Sequence, residues 1–304
     1  MIIVNNNSGQ LCNKLILFAH AYATAIDTHQ KVYHLYWFYS RHLFRESCRT
    51  DIGFFPGRLG IFYRYYDKYV TSKRSQRYDY AARMEMQSRI RGQILAKGVH
   101  RLYVIDAWEY RDYDALFRHR DIIVSVFRPT AETEDAVERF WDSLPREDNT
   151  VIVGIHMRRG DYRIWNDGVF YYSDDVYQNW MEDLAKSTTR NVHFLLCSNE
   201  EFDLANFKSE AYTVSKAPGT QLGDLYSLAK CDYIMGPPST YSWWAAFYGN
   251  RKYLTLYSSD MRISMENFQD IRGEEFIPPV IQKMGDHRQA HGGRQSTLER
   301  GSLF

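Results

Sequence analysis

Residues 151–162 read VIVGIHMRRGDY and join an apolar run to a cluster of basic, acidic and aromatic side chains. The run Val151–Ile155 is typical of a buried strand in a parallel sheet. Ligands of open α/β sheets bind beyond the carboxyl ends of the strands, which is where His156 and two arginines follow. Guanidinium groups bind phosphate oxygens through paired hydrogen bonds, so the segment predicts an anion site. The segment alone leaves a second interpretation open, in which Arg158 and Arg159 only pair with Asp161 and other surface acids.

Other apolar runs rich in branched residues predict further strands. They are Ile2–Val4, Leu102–Ile105, Ile122–Val126, His193–Cys197, Tyr233–Met235 and Tyr253–Leu256. Apolar residues recur at helical spacing over 15–26, 137–144 and 176–184. Strands that alternate with helices predict parallel α/β sheets. We expect two α/β domains, 1–147 and 148–284, divided within Ser143–Thr150, and a disordered tail over 285–304, where periodicity ends.

The composition is that of a globular protein. The 304 residues are 44% hydrophobic and 25% charged with a formal net charge of +1, which excludes bulk disorder and a nucleic-acid-coating role. The four cysteines (Cys12, Cys48, Cys197 and Cys231) show no C-x-x-C spacing, so neither a disulfide framework nor a zinc site is expected. No apolar stretch has the length of a signal peptide or a membrane helix, and we therefore expect a cytoplasmic protein.

Positive charge is concentrated in residues 41–120, which hold 17 Lys and Arg against 9 Asp and Glu. Six of these basic residues lie among Tyr and Phe side chains: Arg74, Arg77, Arg83, Arg89, Arg91 and Lys97. Such a run usually forms a solvated helical face. An acidic or phosphate-bearing partner and peripheral contact with an anionic membrane are the alternatives.

A second informative segment, residues 224–244, reads DLYSLAKCDYIMGPPSTYSWW. It predicts a helix, a strand, a Gly-Pro-Pro turn and a new helix that begins near Ser239. Ser239 and Thr240 then lie at a helix N-terminus, where free amides bind phosphate. Asp224 offers an acceptor for N1–H and the exocyclic amine of guanine, a donor pair that adenine lacks. The alternative for Asp224 is an ordinary charge at a helix start, and Trp243 and Trp244 are expected to pack in the core.

The third segment, residues 8–15 (SGQLCNKL), lies between the first predicted strand and the first helix. A glycine-containing turn with Asn13 at the helix start predicts a phosphate or sugar contact. The G-x-x-x-x-G-K-[ST] spacing of a P-loop is absent. Taken alone, this segment does not identify a ligand.

Together the three segments resemble the fucosyltransferase superfamily, which joins α-1,2-, α-1,6- and protein O-fucosyltransferases. The bacterial α-1,2-fucosyltransferase family, glycosyltransferase family 11, is the most similar. Residues 156–162 match its H-x-R-R-G-D-Y signature letter for letter, and residues 224–244 resemble its D-L-x…S-T-F-S-W-W block. Gly9, Leu11 and Asn13 resemble its G-x-L-x-N-Q turn, with Lys14 in place of the usual Gln and Cys12 in place of a usual Gly. No resemblance is evident over residues 35–120.

The resemblance implies a GT-B fold, in which two Rossmann-like parallel-sheet domains face each other across a cleft. The second domain is then expected to hold GDP-fucose, and the first to shape the acceptor site. By motif position, Arg158 pairs with the β-phosphate, while His156 and Asp224 contact guanine. Ser239 and Thr240 hold phosphate oxygens, and Asn13 belongs to the same donor site.

The resemblance also implies an inverting transfer of L-fucose from GDP-β-L-fucose to a glycan hydroxyl, here an α-1,2 transfer to a galactoside. Arg158 is expected to neutralise the departing diphosphate without a metal or other cofactor. Asp161 is the nearest candidate for a general base and Asp167 is another, although Asp161 is better explained as a group that orients an arginine. The expected partners are GDP-fucose and a glycan acceptor, free or lipid-linked, and no nucleic acid.

Two other functions fit parts of the sequence. Asp112 and Asp114 form a D-x-D pair of the kind that holds Mn²⁺ or Mg²⁺ on a diphosphate in metal-dependent GT-A glycosyltransferases. The high aromatic content also allows a non-catalytic carbohydrate-binding protein on a transferase fold. Glycan binding alone needs neither a diphosphate clamp nor a nucleotide-reading carboxylate, so Arg158 and Asp224 argue against the second alternative.

Overall fold

Strands and helices alternate in the computed structural model, which describes residues 1–7, 9–37, 40–45, 52–53, 92, 103–106, 108, 110–145 and 147–273. The strands are β1 (Ile2–Val4), β2 (Val32–His34), β3 (Ile52–Gly53), β4 (Tyr103–Ile105), β5 (Thr150–Met157), β6 (Asn191–Ser198), β7 (Thr213–Lys216), β8 (Tyr233–Gly236) and β9 (Lys252–Thr255). The α-helices are α1 (Leu11–Asp27), α2 (Tyr113–Arg118), α3 (Arg120–Val126), α4 (Ala131–Ser143), α5 (Asp174–Lys186), α6 (Gln221–Lys230) and α7 (Thr240–Gly249).

The strands form two sheets, and every neighbouring pair is parallel. The first sheet has the order β3-β2-β1-β4 and the second has the order β7-β6-β5-β8-β9. In both sheets the first strand along the chain lies inside, with the next two strands on one side and the following strand on the other. This is the order of a Rossmann fold. The expectation of two Rossmann-like parallel-sheet domains is confirmed.

Strand β5 is central in its sheet and is buried on both faces. Val151, Val153 and Ile155 pack in one apolar cluster with helix α5, whereas Ile152 packs in the other cluster with helices α6 and α7. Because side chains alternate along a strand, His156 lies on the same face as Ile152. The strand therefore directs His156 towards α6 and α7.

The two domains share an apolar cluster. It joins helix α1 of the first domain to helices α6 and α7 of the second. Trp243 and Trp244 are completely buried in it, which confirms their predicted core role. Trp244 makes an edge-to-face contact with Phe127, at 5.5 Å between ring centroids, and Trp243 lies 6.3 Å from Tyr113. The tryptophans therefore pack the second domain against the first.

One predicted strand is wrong. Residues Ile122–Val126 belong to helix α3, in which Ile123 and Val126 are buried and Ile122 is exposed. A short run of branched apolar residues fits a buried strand and a helix equally well, and here the helical register buries one side of the run. The other predicted strands and the three predicted helical segments coincide with observed elements, give or take a few residues at their ends.

Several sequence-based predictions lie outside the described residues. These are the basic positions Arg74, Arg77, Arg83, Arg89, Arg91 and Lys97, the thiol of Cys48 and the tail 285–304. The other three cysteines are buried free thiols. Helix α4 ends at Ser143 and packs against α6, so the domain boundary near residue 147 stays a prediction. Within the described ranges, no helix has both the length and the apolar character needed to cross a membrane.

Candidate nucleotide site at the carboxyl edge of the second sheet

A cavity of about 390 Å³ lies beyond the carboxyl ends of strands β5, β6 and β7. Its volume is within the range of about 300–1,000 Å³ that small-molecule sites occupy. The wall is formed by residues that follow or end these strands, by the start of α6, by Tyr241 of α7 and by Gln10 of the first domain: Gln10, His156, Arg158, Leu196, Cys197, Ser198, Asn199, Glu200, Glu201, Phe202, Lys216, Ala217, Gly219, Thr220, Gln221, Asp224 and Tyr241. The cavity is therefore where ligands of Rossmann-like sheets bind.

His156 is the next-to-last residue of strand β5, and its ring is buried and neutral. Burial, together with the positive charge of Arg158, lowers the pKa of His156 to about 3. The ring lies 4.8 Å from the ring of Tyr241, and its Nδ1 has no hydrogen-bond partner. A buried nitrogen without a hydrogen bond raises the free energy of the protein, so binding of a ligand that forms a hydrogen bond to this nitrogen is favoured. The structure thus leaves one polar atom of His156 available to a ligand.

The two adjacent arginines have different surroundings. Arg158 lines the cavity, and its guanidinium lies 2.8 Å and 3.0 Å from the two carboxylate oxygens of Asp161. Arg159 is buried and pairs with Asp174 at the start of α5. In an extended chain, neighbouring side chains point to opposite sides, which separates the two groups. Of the two arginines, Arg158 is therefore the one placed to meet an anion in the cavity.

The turn after Arg158 is held by the neighbouring strand. The backbone N–H of Arg159 donates to Oδ1 of Asn199, which follows β6, at 2.7 Å. Gly160 has a φ of +56°, and a Cβ there would lie 2.8 Å from Nδ2 of Asn199. The hydroxyl of Tyr162 donates to the carbonyl of Pro238 in the turn before α7. These bonds fix the position of the Arg158 backbone relative to β6 and α7.

Asp224 lies in the first turn of helix α6 and is buried. Its Oδ1 accepts a hydrogen bond from the backbone N–H of Gly219 at 2.7 Å. Burial raises the pKa of the carboxyl to about 6, although backbone N–H groups and the charge of Lys216 oppose this shift. The side chain of Asp224 thus lines the cavity, and one of its carboxylate oxygens is held by the backbone of Gly219 in the cavity wall.

The predicted contacts Asn13, Ser239 and Thr240 lie beside the cavity and not among the residues of its wall. The hydroxyl of Ser239 accepts from the backbone N–H of Tyr241 and caps helix α7. The hydroxyl of Thr240 donates to Oδ1 of Asn13 at 2.8 Å. This bond joins the starts of α1 and α7, one from each domain, so these three residues are brought together at the domain junction.

The two candidate bases lie outside the cavity wall. Asp161 is 55% exposed and is engaged by Arg158, as a group that orients an arginine would be. Asp167 is exposed in the loop that follows, where its φ is +58°. A general base must lie within hydrogen-bond reach of the proton that it removes, so both assignments stay predictions.

Most residues of the wall were not predicted as contacts, and Asn199, Lys216 and Tyr241 are three of them. Asn199 follows the end of β6, so the strand-end rule that selected His156 would have found it. Lys216 ends β7, an edge strand without an apolar run, and no sequence signal marked it. Tyr241 lies within the segment 224–244, and its hydroxyl donates to the carbonyl of Gln221 at 2.7 Å. It closes the wall between α7 and α6.

Asp112 and Asp114 lie elsewhere. Asp112 is the N-cap of helix α2: its Oδ1 accepts from the backbone N–H of Ala115 at 3.2 Å, and its Oδ2 accepts from the hydroxyl of Thr24 at 2.7 Å. Asp114 is exposed in the first turn of α2. Neither is in the wall of the cavity. Among the described residues, His, Cys, Asp and Glu side chains form no group of three or more that could hold a metal ion.

A second cavity, of about 420 Å³, lies at the opposite edge of the same sheet. It is lined by residues at the starts of β5, β8 and β9 and by side chains of α4 and α6, and it contains none of the predicted site residues. Ligands of parallel α/β sheets bind at the carboxyl edge. The cavity with Arg158 and Asp224 is therefore the candidate site.

Comparisons with known proteins bear on the family resemblance and on the fold. Residues 137–275 match the family model of glycosyl transferase family 11. A comparison with proteins of curated function gives no significant match.

Among solved structures, the chain is similar to the α-1,6-fucosyltransferase NodZ soaked with GDP-fucose. The identity is 14%, the alignment covers 90% of this chain and 99% of that chain, and the TM-score is 0.57. A structure of NodZ from Bradyrhizobium is also similar. The chain is also similar to a mutant FUT1 of Arabidopsis thaliana in complex with GDP, with 14% identity, 90% and 74% coverage and a TM-score of 0.58. The expected GT-B fold is thereby confirmed. Residues 137–275 are thus similar to glycosyl transferase family 11, and the chain shares its fold with fucosyltransferases of known structure.

Proposed function

We propose that the protein is an inverting, metal-independent fucosyltransferase that moves L-fucose from GDP-β-L-fucose to a glycan hydroxyl, forming an α-1,2 linkage to a galactoside. The observation that carries the proposal is the convergence of His156, Arg158 and Asp224 on one cavity at the carboxyl edge of the second sheet. These are three of the positions to which the family resemblance assigns donor binding. The match to glycosyl transferase family 11 supports a sugar transfer.

The cavity offers different chemistry at different points. Arg158 supplies a guanidinium, which binds diphosphate oxygens through paired hydrogen bonds. Asp224 supplies a carboxylate, which accepts from N1–H and the exocyclic amine of guanine. Adenine presents an acceptor and a single amine there, so it leaves the buried carboxylate poorly paired. The arrangement favours GDP over ADP and UDP.

The reaction requires that negative charge be stabilised on the departing diphosphate. Breaking the bond between fucose and the β-phosphate builds positive charge on the sugar and negative charge on the leaving group. Arg158, held by Asp161 and by the turn at Asn199, supplies a fixed positive charge where this negative charge develops. Attack by the acceptor hydroxyl from the opposite face converts the β-linked donor into an α-fucoside.

The metal-independent route is supported by the positions of the acidic residues. The D-x-D alternative requires Asp112 and Asp114 to share the diphosphate site, but Asp112 caps a helix of the first domain. The neutralising role then falls to Arg158. Transfer that stops in EDTA and returns with Mn²⁺ or Mg²⁺ would contradict this part of the proposal.

The linkage rests on the resemblance to family 11. One structural neighbour is an α-1,6-fucosyltransferase, so the fold is compatible with more than one linkage. The direct measurement is transfer from GDP-fucose to a panel of β-galactosides, with the product linkage assigned by NMR. An α-1,6 product, or transfer only to acceptors without galactose, would correct the proposed linkage and leave the donor site unaffected.

The donor site is tested by nucleotide binding and by replacement of Arg158. GDP should raise the melting temperature more than ADP or UDP at equal concentration, since a ligand stabilises the state that binds it. Arg158→Ala should lower kcat/KM by about 10²–10³-fold, because a lost donor to developing charge costs about 3–4 kcal/mol. Arg190→Ala is the matched control, since Arg190 lies at the opposite edge of the sheet, where it donates to the carbonyl of Thr150. Turnover of Arg158→Ala at the rate of the control would refute the assigned role.

A further inference from the structure

An exposed apolar surface follows the turn that carries Arg158. Ile164, Trp165 and Val169 are 83%, 41% and 56% exposed, and they are three of the seven large apolar side chains that are exposed in the described part of the chain. They lie within six residues of one another, so the exposure is local. Apolar side chains grouped in this way typically mark a binding surface.

Trp165 rests on the core of the second domain. Its ring lies 4.7 Å from the ring of Tyr162 and 5.6 Å from that of Phe170. Both of these rings are buried and belong to the apolar cluster around β5. One side of the indole thus packs against the buried rings of Tyr162 and Phe170, and the other side is exposed. Trp165 forms a rigid aromatic platform and not a loose surface side chain.

The loop that carries the platform has a fixed backbone. Asn166, Asp167 and Gly168 all have a positive φ, of 49°, 58° and 74°. Such conformations cost about 1–3 kcal/mol each for residues other than glycine, and they tend to occur at ligand sites. The strained turn is closed on itself, because the N–H of Val169 donates to the carbonyl of Asn166 and that of Tyr171 to the carbonyl of Gly168. The loop therefore presents Trp165 in a defined position.

The platform is continuous with the donor cavity. The guanidinium of Arg158 lies 5.4 Å from the ring centroid of Tyr162, and Tyr162 in turn contacts Trp165. The carboxylate of Asp161, 55% exposed, lies in the same turn. Trp165 therefore lies near the end of the cavity that contains Arg158, where the diphosphate is proposed to bind. These ring contacts connect Trp165 to Arg158 and not to Asp224, where the guanine is proposed to bind.

We propose that Trp165 binds the acceptor, by packing against the apolar face of a pyranose ring whose hydroxyls are reached by polar side chains of the same loop. This inference rests on the proposed transfer of fucose. A pyranose such as galactose has one face of C–H groups, which packs against the π-face of an aromatic ring, and an edge of hydroxyls. Asp161, four residues before Trp165, and Asn166, directly after it, supply acceptors for those hydroxyls.

The charge of the loop favours a sugar over a lipid surface. Residues 160–170 contain two acidic residues, Asp161 and Asp167, and one basic residue, Arg163. Arg163 pairs with Glu200 at 2.8 Å. Segments that insert into anionic membranes place apolar side chains beside unpaired basic residues. This loop has a net negative charge. Its apolar side chains therefore match a neutral glycan better than a membrane.

The test compares Trp165→Ala with Trp165→Phe and with Ile122→Ala. Ile122 is exposed to the same 41% as Trp165 but lies on α3 of the first domain, so it controls for loss of an exposed apolar side chain. Trp165→Ala should raise the acceptor KM about three- to tenfold, the range that aromatic stacking supplies, while Trp165→Phe retains part of the affinity. The rise in melting temperature with GDP and the hydrolysis of GDP-fucose without acceptor should equal those of the wild type.

The outcomes separate this inference from the proposed function. An unchanged acceptor KM in Trp165→Ala, with a wild-type enzyme that does transfer fucose, overturns the platform alone. A wild type that binds GDP but transfers no sugar to any glycan overturns the proposed function, whatever Trp165 does. A loss of binding to vesicles of anionic phospholipid without a change in acceptor KM overturns the inference in favour of a membrane contact.

Discussion

At the scale of single residues, Asp224 shows how a residue that lines the candidate site can be costly to the fold. Its carboxyl is buried, and its pKa is raised to about 6 because desolvation outweighs the hydrogen bonds that it accepts. In the proposed donor site, the charged form is the one that accepts from both donors of guanine. Near neutral pH the carboxyl is therefore charged. The charged form favours ligand binding but destabilises the fold of the protein without ligand.

If the proposed donor site is correct, we expect this carboxyl to make donor binding dependent on pH. The affinity for GDP should fall as the pH drops below about 6, because protonation removes one of the acceptors for the guanine N–H groups. Asp224→Asn should bind GDP weakly across the whole range and lose the preference for GDP over IDP, which lacks the exocyclic amine. Isothermal titration with GDP and IDP from pH 5 to 8 is the measurement. A flat pH profile in the wild type would show that another group reads guanine.

The substitution Asp224→Asn should also stabilise the fold. A carboxyl whose pKa rises on folding, here from its ordinary value of 3.8 to about 6, disfavours the folded state once it is charged. This cost is absent where both states are protonated, grows as the pH rises between the two pKa values, and is complete above the folded pKa. At pH 7 the free energy of unfolding of Asp224→Asn should therefore exceed that of the wild type by up to about 3 kcal/mol, since a tenfold change in proton affinity corresponds to about 1.4 kcal/mol.

The difference between the two proteins should shrink as the pH is lowered towards the ordinary pKa of an aspartate. Urea denaturation of both proteins at several pH values measures it. Equal stability of the two proteins at pH 7 would contradict the assigned burial cost.

The residues of the site were predictable where a strand end marked them. His156 and Arg158 follow an apolar strand directly, so their place at the carboxyl edge follows from the sequence. The different surroundings of Arg158 and Arg159 could not be predicted from the sequence, because they depend on Asp174, which lies on helix α5, fifteen residues after Arg159. Lys216 was missed because its strand has no apolar run.

At the scale of helices and strands, the sequence predicted the buried elements better than the edge ones. β5 and β6 are covered on both faces, so they read as continuous apolar runs. β7 is a half-exposed edge strand and carries Thr, Ser and Lys, so its pattern resembles a loop. The error at Ile122–Val126 has the opposite origin, since a run of branched apolar residues fits one buried side of a helix as well as a strand.

Helix α7 must approach α6 closely for the site to form, and Gly249 permits this approach. A Cβ at Gly249 would lie 1.9 Å from the carbonyl oxygen of Ala229, at the end of α6. The obstacle is backbone, which cannot turn away as a side chain can. Gly249→Ala should therefore destabilise the protein by about 1–3 kcal/mol or more, the cost of overpacking, as measured by urea denaturation.

Gly273→Ala is the matched control for this substitution. A Cβ at Gly273 would meet no atom within 4 Å, and its φ is not positive. Its free energy of unfolding should equal that of the wild type. Since α7 carries Tyr241 and the capping residue Ser239, Gly249→Ala should also weaken GDP binding. If both variants unfold at the wild-type urea concentration, the two helices do not require a glycine where they meet.

At the scale of the whole molecule, the contacts between the domains are the feature that the sequence could not supply. The bond from Thr240 to Asn13 joins residues 227 positions apart, and the hydroxyl of Tyr226 donates to the carbonyl of Phe127 across 99 positions. Pairings at such separation depend on the tertiary arrangement and leave no periodic pattern. The sequence predicted two domains, but not that Trp243 and Trp244 would be buried between them.

Because the domains share a buried cluster, we expect the chain to unfold in one transition. Separating the domains would expose Trp244 and the face of α7 to water, so neither sheet gains by unfolding alone. Heat-induced changes in far-UV circular dichroism and in tryptophan fluorescence should coincide. In the proposed site GDP binds mainly to the second domain, so GDP should shift both curves together; at a free concentration of 100 times Kd it should raise the free energy of unfolding by about 2.7 kcal/mol. Two separate transitions, with only one of them moved by GDP, would show that the domains unfold independently and that the shared cluster does not couple them.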